Sequence, residues 1–360
     1  MKFPVRIFPI LLLTYHLAFA WVAYQYILAN HGDAEGYWFL RQDLSQASWL
    51  DFLQPGTDVI KLLTFPLVKF LGFPFWSGFL IFSLLSSTGI MLLYRMLLKH
   101  ATGSRELQMV IMLLFLLPTL HFWTAIPGKE SLLFLMTVIF LKYSTNTKPF
   151  SWQGISALVG IALIRPHMAI IMLICWAIAV GFCYPMNKKR KSVFFICLTV
   201  ALGGILVLLK SILRKFTGFQ ETVLLYYDVY IRHMRKTNAY VPLDEYGLPY
   251  KMFTFYFRPL PFEKEGWMYG VISLENTVLL GLSCAALGLT LFNLRKIHFK
   301  LRETFSALYL LAFAGMYVYA YANYGIISRT KILVYPFIFI LILQAFKLRT
   351  ALPPSSTDHE

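Results

Sequence analysis

Long apolar stretches dominate this chain, and short polar segments separate them. A helix needs about 20 predominantly apolar residues to cross a bilayer core. With allowance for tilted or broken helices, the pattern predicts ten spans. They lie at residues 6–28, 74–97, 107–125, 131–144, 152–164, 168–186, 193–213, 272–294, 303–323 and 331–347. The sequence thus predicts an all-α, polytopic transmembrane helical bundle that forms a single domain over residues 1–350.

Composition agrees with a membrane protein, because 58% of the residues are hydrophobic and only 14% are charged. So few charged side chains cannot cover the water-facing surface of a soluble protein of this length. The net charge of +16 would suit a nucleic-acid partner. However, the basic residues sit between apolar runs and form no basic domain, so no nucleic-acid partner is predicted.

The distribution of charge predicts how the bundle is oriented. One set of connections carries 17 basic and 4 acidic residues, and the rest of the chain carries 16 basic and 13 acidic residues. By the positive-inside rule the first set is cytoplasmic, with both termini inside. We therefore expect a multi-pass protein of the cell inner (cytoplasmic) membrane.

Two long loops are then predicted on the outer face, at residues 29–73 and 214–271. Segment 58–72 within the first loop is apolar but carries two lysines, which predicts an interfacial helix. The tail 351–360 contains prolines and serines and is predicted to be disordered.

Acidic residues follow the first span after only a few positions. Asp33 and Glu35 are tied close to the membrane surface there, where a carboxylate can serve as a general base on a hydroxyl group. The alternative is a plain acidic loop. His31 with Asp33 would give a metal ion two ligands at most, so the sequence indicates neither a divalent metal site nor any other cofactor.

Two further polar clusters lie at breaks between apolar segments. Lys129 and Glu130 follow a Pro-Gly turn at the start of a helix, where free N–H groups favour an anion such as phosphate. The alternative is that they pair with other loops. Pro166 breaks a helix between Arg165 and His167. An arginine at membrane depth needs either an anion, from this protein or from a ligand, or a path to the headgroups.

The remaining two clusters lie in the second long loop and before the last span. Aromatic residues with interleaved charges suit sugars, which stack on rings and bind charged groups through their hydroxyls. An ordinary aromatic belt at the interface is the alternative. The loop residues in question are Tyr226, Tyr227, Asp228, Tyr230, Arg232, His233, Arg258 and Glu263. Arg329 starts the last apolar run on the outer side, where the positive-inside rule disfavours it.

These segments resemble two related groups of membrane enzymes. The run from Gly32-Asp33-Ala34 to Tyr37 resembles the first outer loop of GT-C-type glycosyltransferases, in which an aspartate commonly serves as the catalytic base. The segment from Phe122-Trp123 to Glu130, together with Arg165-Pro166-His167 and Arg329, resembles Wzy-type bacterial polysaccharide polymerases. Those enzymes hold polyprenyl diphosphate-linked glycans with outer-face arginines. The chain lacks the adjacent paired acids and the sizeable soluble domain of the best-known GT-C enzymes.

The resemblance implies a GT-C-like fold and an outer-face transferase with a polyprenyl (di)phosphate-linked sugar donor. Its implied partners are a polyprenyl-linked sugar or glycan and membrane lipid. It also implies roles for the polar clusters. Asp33 would be the base, with Glu35 beside it, and the substrate would contact Lys129, Glu130, Arg165, His167, Arg232, His233, Arg258, Glu263 and Arg329.

Two other classes of function stay open from the sequence. A transporter or flippase of an anionic lipid-linked substrate would also use charged residues in broken helices, although the chain shows no inverted repeat. An outer-face acyltransferase could use His121 or His167 as its base. It would need a nucleophile that the sequence does not reveal.

Overall fold

A computed structural model of the chain describes residues 3–40, 48–146, 150–213, 229, 231–296 and 300–350. This part of the chain is helical apart from turns and one isolated bridge between Tyr240 and Asn323, which confirms the all-α prediction for it. The helices are α1 (Phe3–Asn30), α2 (Asp33–Trp38), α3 (Asp58–Phe65), α4 (Phe75–Leu98), α5 (Arg105–Phe115), α6 (Pro118–Ala125), α7 (Lys129–Ser144), α8 (Trp152–Ile164), α9 (Pro166–Cys183), α10 (Lys188–Leu213), α11 (Leu248–Phe257), α12 (Trp267–Phe292), α13 (Leu301–Tyr317), α14 (Tyr324–Lys331) and α15 (Tyr335–Thr350).

Local sequence signals explain where several helices begin. Side-chain oxygens of Ser104, Ser151 and Asn323 accept hydrogen bonds from the first free N–H groups of α5, α8 and α14. Pro118 and Pro166 are the first residues of α6 and α9, where a missing N–H has no cost. The chain can therefore break and restart its helices inside an apolar sequence.

Five helices are long and apolar enough to cross a membrane in the described part of the chain. They are Ile7–Asn30, Phe75–Leu98, Pro166–Cys183, Trp267–Phe292 and the continuous stretch Tyr324–Arg349, which joins α14 and α15. Helices α5 and α6 would make a sixth span together, although they are bent by 44° at the break before Pro118. The described part of the chain therefore has five or six helices whose length and composition fit a membrane.

The count of ten spans rests on shorter segments and stays a prediction. Helices α7, α8 and α13 have 16, 13 and 17 residues. Helix α10 covers the predicted span 193–213. Segment 58–72 is helical, as α3 followed by a π-helical turn at Pro66–Phe70. Its position at a membrane interface stays a prediction, and the tail 351–360 lies outside the described residues.

Helix α7 packs between α4 and α8, α9 packs on α13, and α15 lies between α12 and α13. The directions of the helices give the bundle two ends. The site end is where α1 finishes and where α4, α7, α9 and α12 begin. The basic end is where α4, α9 and α12 finish and α13 begins. Asp33, Glu130 and Arg165 lie at the site end, whereas His100 and Arg302 lie in contact at the basic end.

Candidate functional site

Helix α2 fixes the position of Asp33 at the site end. The Thr64 hydroxyl of α3 donates a hydrogen bond to the Tyr37 carbonyl over 2.7 Å. The Trp38 ring packs so closely on Gly78 of α4 that a Cβ at Gly78 would lie 2.5 Å from it. Both contacts hold the short helix against its neighbours, and they hold Asp33 at its first turn.

Four charged side chains from distant parts of the sequence meet beside α2. Glu130 binds two arginines, with 2.6 Å from Oε1 to Arg165 Nη2 and 2.7 Å from Oε2 to Arg329 Nη2. Arg329 Nη1 also lies 2.8 Å from Asp33 Oδ2. We call Asp33, Glu130, Arg165 and Arg329 the charge network. Four of the five polar clusters found in the sequence each supply one member of this network.

Glu130 is the centre of the network and its most buried member. Only 3% of its side chain is exposed, compared with 62% for Asp33. Burial favours the protonated form of Glu130, but Arg329 and Arg165 outweigh burial and lower its pKa to about 2. Its place in the first turn of α7 also favours negative charge. Of the alternatives that the sequence left open for Arg165, the structure thus shows a carboxylate of the protein itself.

The network keeps unused hydrogen-bond donors. Within the described residues, Arg165 Nη1 is buried without a hydrogen-bond partner. Lys129 is half-buried, and its pKa is lowered by burial and by the nearby Arg165. Three cations, Lys129, Arg165 and Arg329, thus face the carboxylates of Asp33 and Glu130. An additional anion would balance the excess positive charge and bind the free donors.

An aromatic cavity of about 610 Å³ opens beside the network. Gly325 lines it and lies one helical turn before Arg329 on α14. Trp123 also lines it and belongs to the hairpin that leads into Lys129. Its other lining residues include Trp21, Gln25, Tyr26, Trp267 and Tyr269 of α1 and α12. The charged and the apolar parts of the site end are therefore adjacent.

Two predicted residues lie near the network without entering its ion pairs. Glu35 accepts a hydrogen bond from His31 Nδ1 over 3.0 Å. His167 Nε2 lies 3.0 Å from the Tyr317 hydroxyl and is exposed at the start of α9. His167 is thus two residues from Arg165 and accessible from the same end of the bundle.

Residues of the second long loop form a separate cluster. Arg258 Nε lies 2.9 Å from Glu263 Oε1, and the Tyr246 hydroxyl lies 3.3 Å from Arg258 Nη1. The Tyr324 hydroxyl lies 3.4 Å from Glu263, so α14 joins this cluster to Arg329. Arg232 and His233 of the same loop are exposed. The predicted residues Tyr226, Tyr227, Asp228 and Tyr230 lie outside the described residues.

The structure adds residues to which the sequence assigned no role in the site. Tyr37 is buried against Gly128, and burial together with Asp33 raises its pKa. Tyr317 holds His167, and Tyr324 holds Glu263. Their sequence signal is weak, because the chain contains 21 tyrosines. Only the fold distinguishes these three tyrosines from the residues of an ordinary aromatic belt at the membrane interface.

Lys331 does not join the charge network, although it is two residues from Arg329. Its Nζ binds Asn276 Oδ1 and lies 3.2 Å from the Tyr256 carbonyl near the end of α11. Glu275 likewise accepts hydrogen bonds from Thr119 and Tyr335 inside the bundle. Both groups are therefore matched by internal partners.

The described residues contain no group of three or more His, Cys, Asp or Glu side chains that could hold a metal ion. Comparison with protein-family models, curated proteins and solved structures gives no match for this chain.

Proposed function

We propose that the protein is an integral-membrane glycosyltransferase or polysaccharide polymerase that uses a polyprenyl (di)phosphate-linked donor. The observation that carries this proposal is the charge network. It gathers two arginines and an exposed aspartate next to Lys129 and beside an aromatic cavity. A diphosphate needs cations, an acceptor hydroxyl needs a base, and a polyprenyl chain needs an apolar surface at the same place.

In this proposal Asp33 is the base, because it is the exposed carboxylate of the network. It takes the proton of the acceptor hydroxyl while that oxygen attacks the anomeric carbon of the donor sugar, and the polyprenyl diphosphate leaves. Lys129, Arg165 and Arg329 stabilise the charge on the leaving group. Glu130 holds the two arginines in place, which differs from the direct contact with substrate that the sequence suggested.

The charge distribution supports an outer-face site. The connections at the basic end are those that the positive-inside rule assigns to the cytoplasm. The charge network lies at the opposite end of the helices, with its acidic and basic residues in near balance. In this proposal the protein lies in the cytoplasmic membrane of the cell. Its site faces outwards, where the lipid-linked glycans are assembled.

Transfer from a polyprenyl diphosphate-linked sugar by the purified protein in proteoliposomes tests the proposal. We expect Asp33→Asn to lower the rate by about 10²-fold or more, as the loss of a general base does. Lys129→Ala should raise the donor concentration needed for half-maximal rate. Glu245→Gln and Lys236→Ala make the same charge changes at exposed positions of the second long loop and should leave the rate unchanged. Normal transfer by Asp33→Asn would refute the catalytic role.

A second candidate function is a carrier or flippase of an anionic lipid-linked substrate. Polar groups buried between the helices favour it, because a transporter needs such groups away from its ends. His16 Nδ1 lies 3.1 Å from His121 Nδ1, and Glu275 and Lys331 are also buried. Movement of a fluorescent polyprenyl diphosphate across proteoliposomes, without any sugar transfer, would favour this function over the enzyme.

A further inference from the structure

A second cavity lies towards the basic end of the bundle, between α12, α13 and α15. Its volume of about 320 Å³ falls within the range of small-ligand sites, about 300–1,000 Å³. Ala286, Leu287, Leu310, Leu341 and Leu348 are among its mostly apolar lining residues. The α12 residues come from the last half of that helix, so this cavity is separate from the aromatic one at the site end.

A cluster of basic side chains lies next to this cavity. Burial lowers the pKa of His100, and the positive charges of Arg302, Lys347, Lys300 and Lys99 lower it further. Four permanent cations therefore gather within electrostatic reach of one histidine. The Glu303 carboxylate lies beside Arg302. A cluster with this many cations attracts an anion.

Glu303 and Gln344 connect the apolar cavity to the basic cluster. Both side chains line the cavity, and both also line a small cleft together with His100, Arg302 and Lys347. Glu303 is buried, and its Oε2 has no hydrogen-bond partner within the described residues. A buried acceptor without a partner indicates a missing donor at this junction.

We propose that this place binds an anionic glycerophospholipid whose headgroup carries a hydroxyl, such as phosphatidylglycerol. One acyl chain fills the apolar cavity, and the phosphate lies against Arg302 and Lys347. The headgroup hydroxyl donates a hydrogen bond to Glu303 Oε2. The excess of positive charge selects an anionic lipid over a zwitterionic one, because basic pockets between helices at the cytoplasmic side attract anionic headgroups.

Native mass spectrometry of the full chain in detergent, titrated with phosphatidylglycerol or phosphatidylethanolamine of equal chain length, tests this site. We expect phosphatidylglycerol to bind more tightly. Lys347→Gln should weaken its binding by about fivefold, and the further change Arg302→Gln by about thirtyfold in total. Ala307→Phe should weaken binding by filling the cavity while every charge is kept.

Lys189→Gln is the matched control, because Lys189 is exposed at the start of α10 and carries the same charge. It should leave the affinity unchanged. Lys347 is also exposed, so its variant should fold even if the double variant does not. Equal affinity for the two lipids would overturn the proposal. So would unchanged affinity of the folded Lys347→Gln and Ala307→Phe variants.

Discussion

At the scale of single residues, Glu130 decides whether the site forms. A carboxylate buried between two guanidinium groups is stable only while all partners are present, because removal of one leaves unpaired charge in a low-dielectric environment. Arg165 has 12% of its side chain exposed and Arg329 has 23%, so water cannot replace Glu130 fully. The residue thus has an organising role for both arginines.

We expect Glu130→Ala to lower the free energy of unfolding by about 3 kcal/mol, because the two arginines lose their shared carboxylate. Glu106→Ala removes an exposed carboxylate from the first turn of α5 and should cost less than about 1 kcal/mol. Denaturant unfolding in mixed micelles measures both variants. Equal losses in the two variants would show that the network contributes nothing to stability.

The pKa of Glu130 predicts how the stability of the protein depends on pH. The folded-state pKa of Glu130 is about 2, below the ordinary value of 4.5, so its ionised form stabilises the fold above about pH 4.5. This contribution is lost as the pH falls from about 4.5 towards about 2. The difference in unfolding temperature between the natural protein and Glu130→Gln should therefore shrink between about pH 5 and pH 3. A constant difference over this range would contradict the assigned pKa.

At the scale of elements, short helices bring the charged residues together. Helix α2 supplies Asp33, and α14 supplies Arg329 while its first residue, Tyr324, contacts Glu263. Neither helix is long enough to cross a membrane by itself. Both depend on packing against longer helices, as Trp38 does against Gly78. A small shift of α2 would separate Asp33 from Arg329.

Gly78→Ala should therefore destabilise the protein and reduce transfer activity, because the new Cβ would lie 2.5 Å from the Trp38 ring. Gly281→Ala is the matched control, since a Cβ there meets no atom within 4 Å. In a helix interior, alanine is favoured over glycine by about 1 kcal/mol, so the control should gain stability. Thermal unfolding of both variants measures the contrast. A gain of stability in Gly78→Ala would refute the close packing.

At the scale of the whole molecule, the directions of the helices place the acidic and basic residues of the charge network at one end. The mostly basic connections lie at the other end. The positive-inside rule then predicts that the site end faces outwards. The cluster around His100 and the cavity beside α15 belong to the opposite, cytoplasmic side in this orientation.

Cysteine labelling tests this orientation directly. In a variant without the four native cysteines, Glu245→Cys should react with a membrane-impermeant maleimide in intact cells. Thr102→Cys should react only after the membrane is permeabilised. Both positions are exposed in the bundle, so access should depend on the side of the membrane alone. The reverse pattern would invert the topology and place the charge network in the cytoplasm.

The sequence by itself determined the helical class of the described residues, the break at Pro166, and the polar segments at which function is expected. These features are local, because apolar runs, prolines and caps act within a few residues. It could not determine how many segments cross the membrane, since helices of 13 to 17 residues fall below the usual span length.

Only the tertiary structure decided which charges meet. Arg329 and Lys331 look alike in the sequence, yet Arg329 binds Asp33 and Glu130 while Lys331 binds Asn276. Arg258 and Glu263 pair with each other, away from the network. Helix packing sets these partners, because two side chains on one helix two positions apart point in different directions. The pairing of charges across 199 or 296 residues of sequence has no local signal at all.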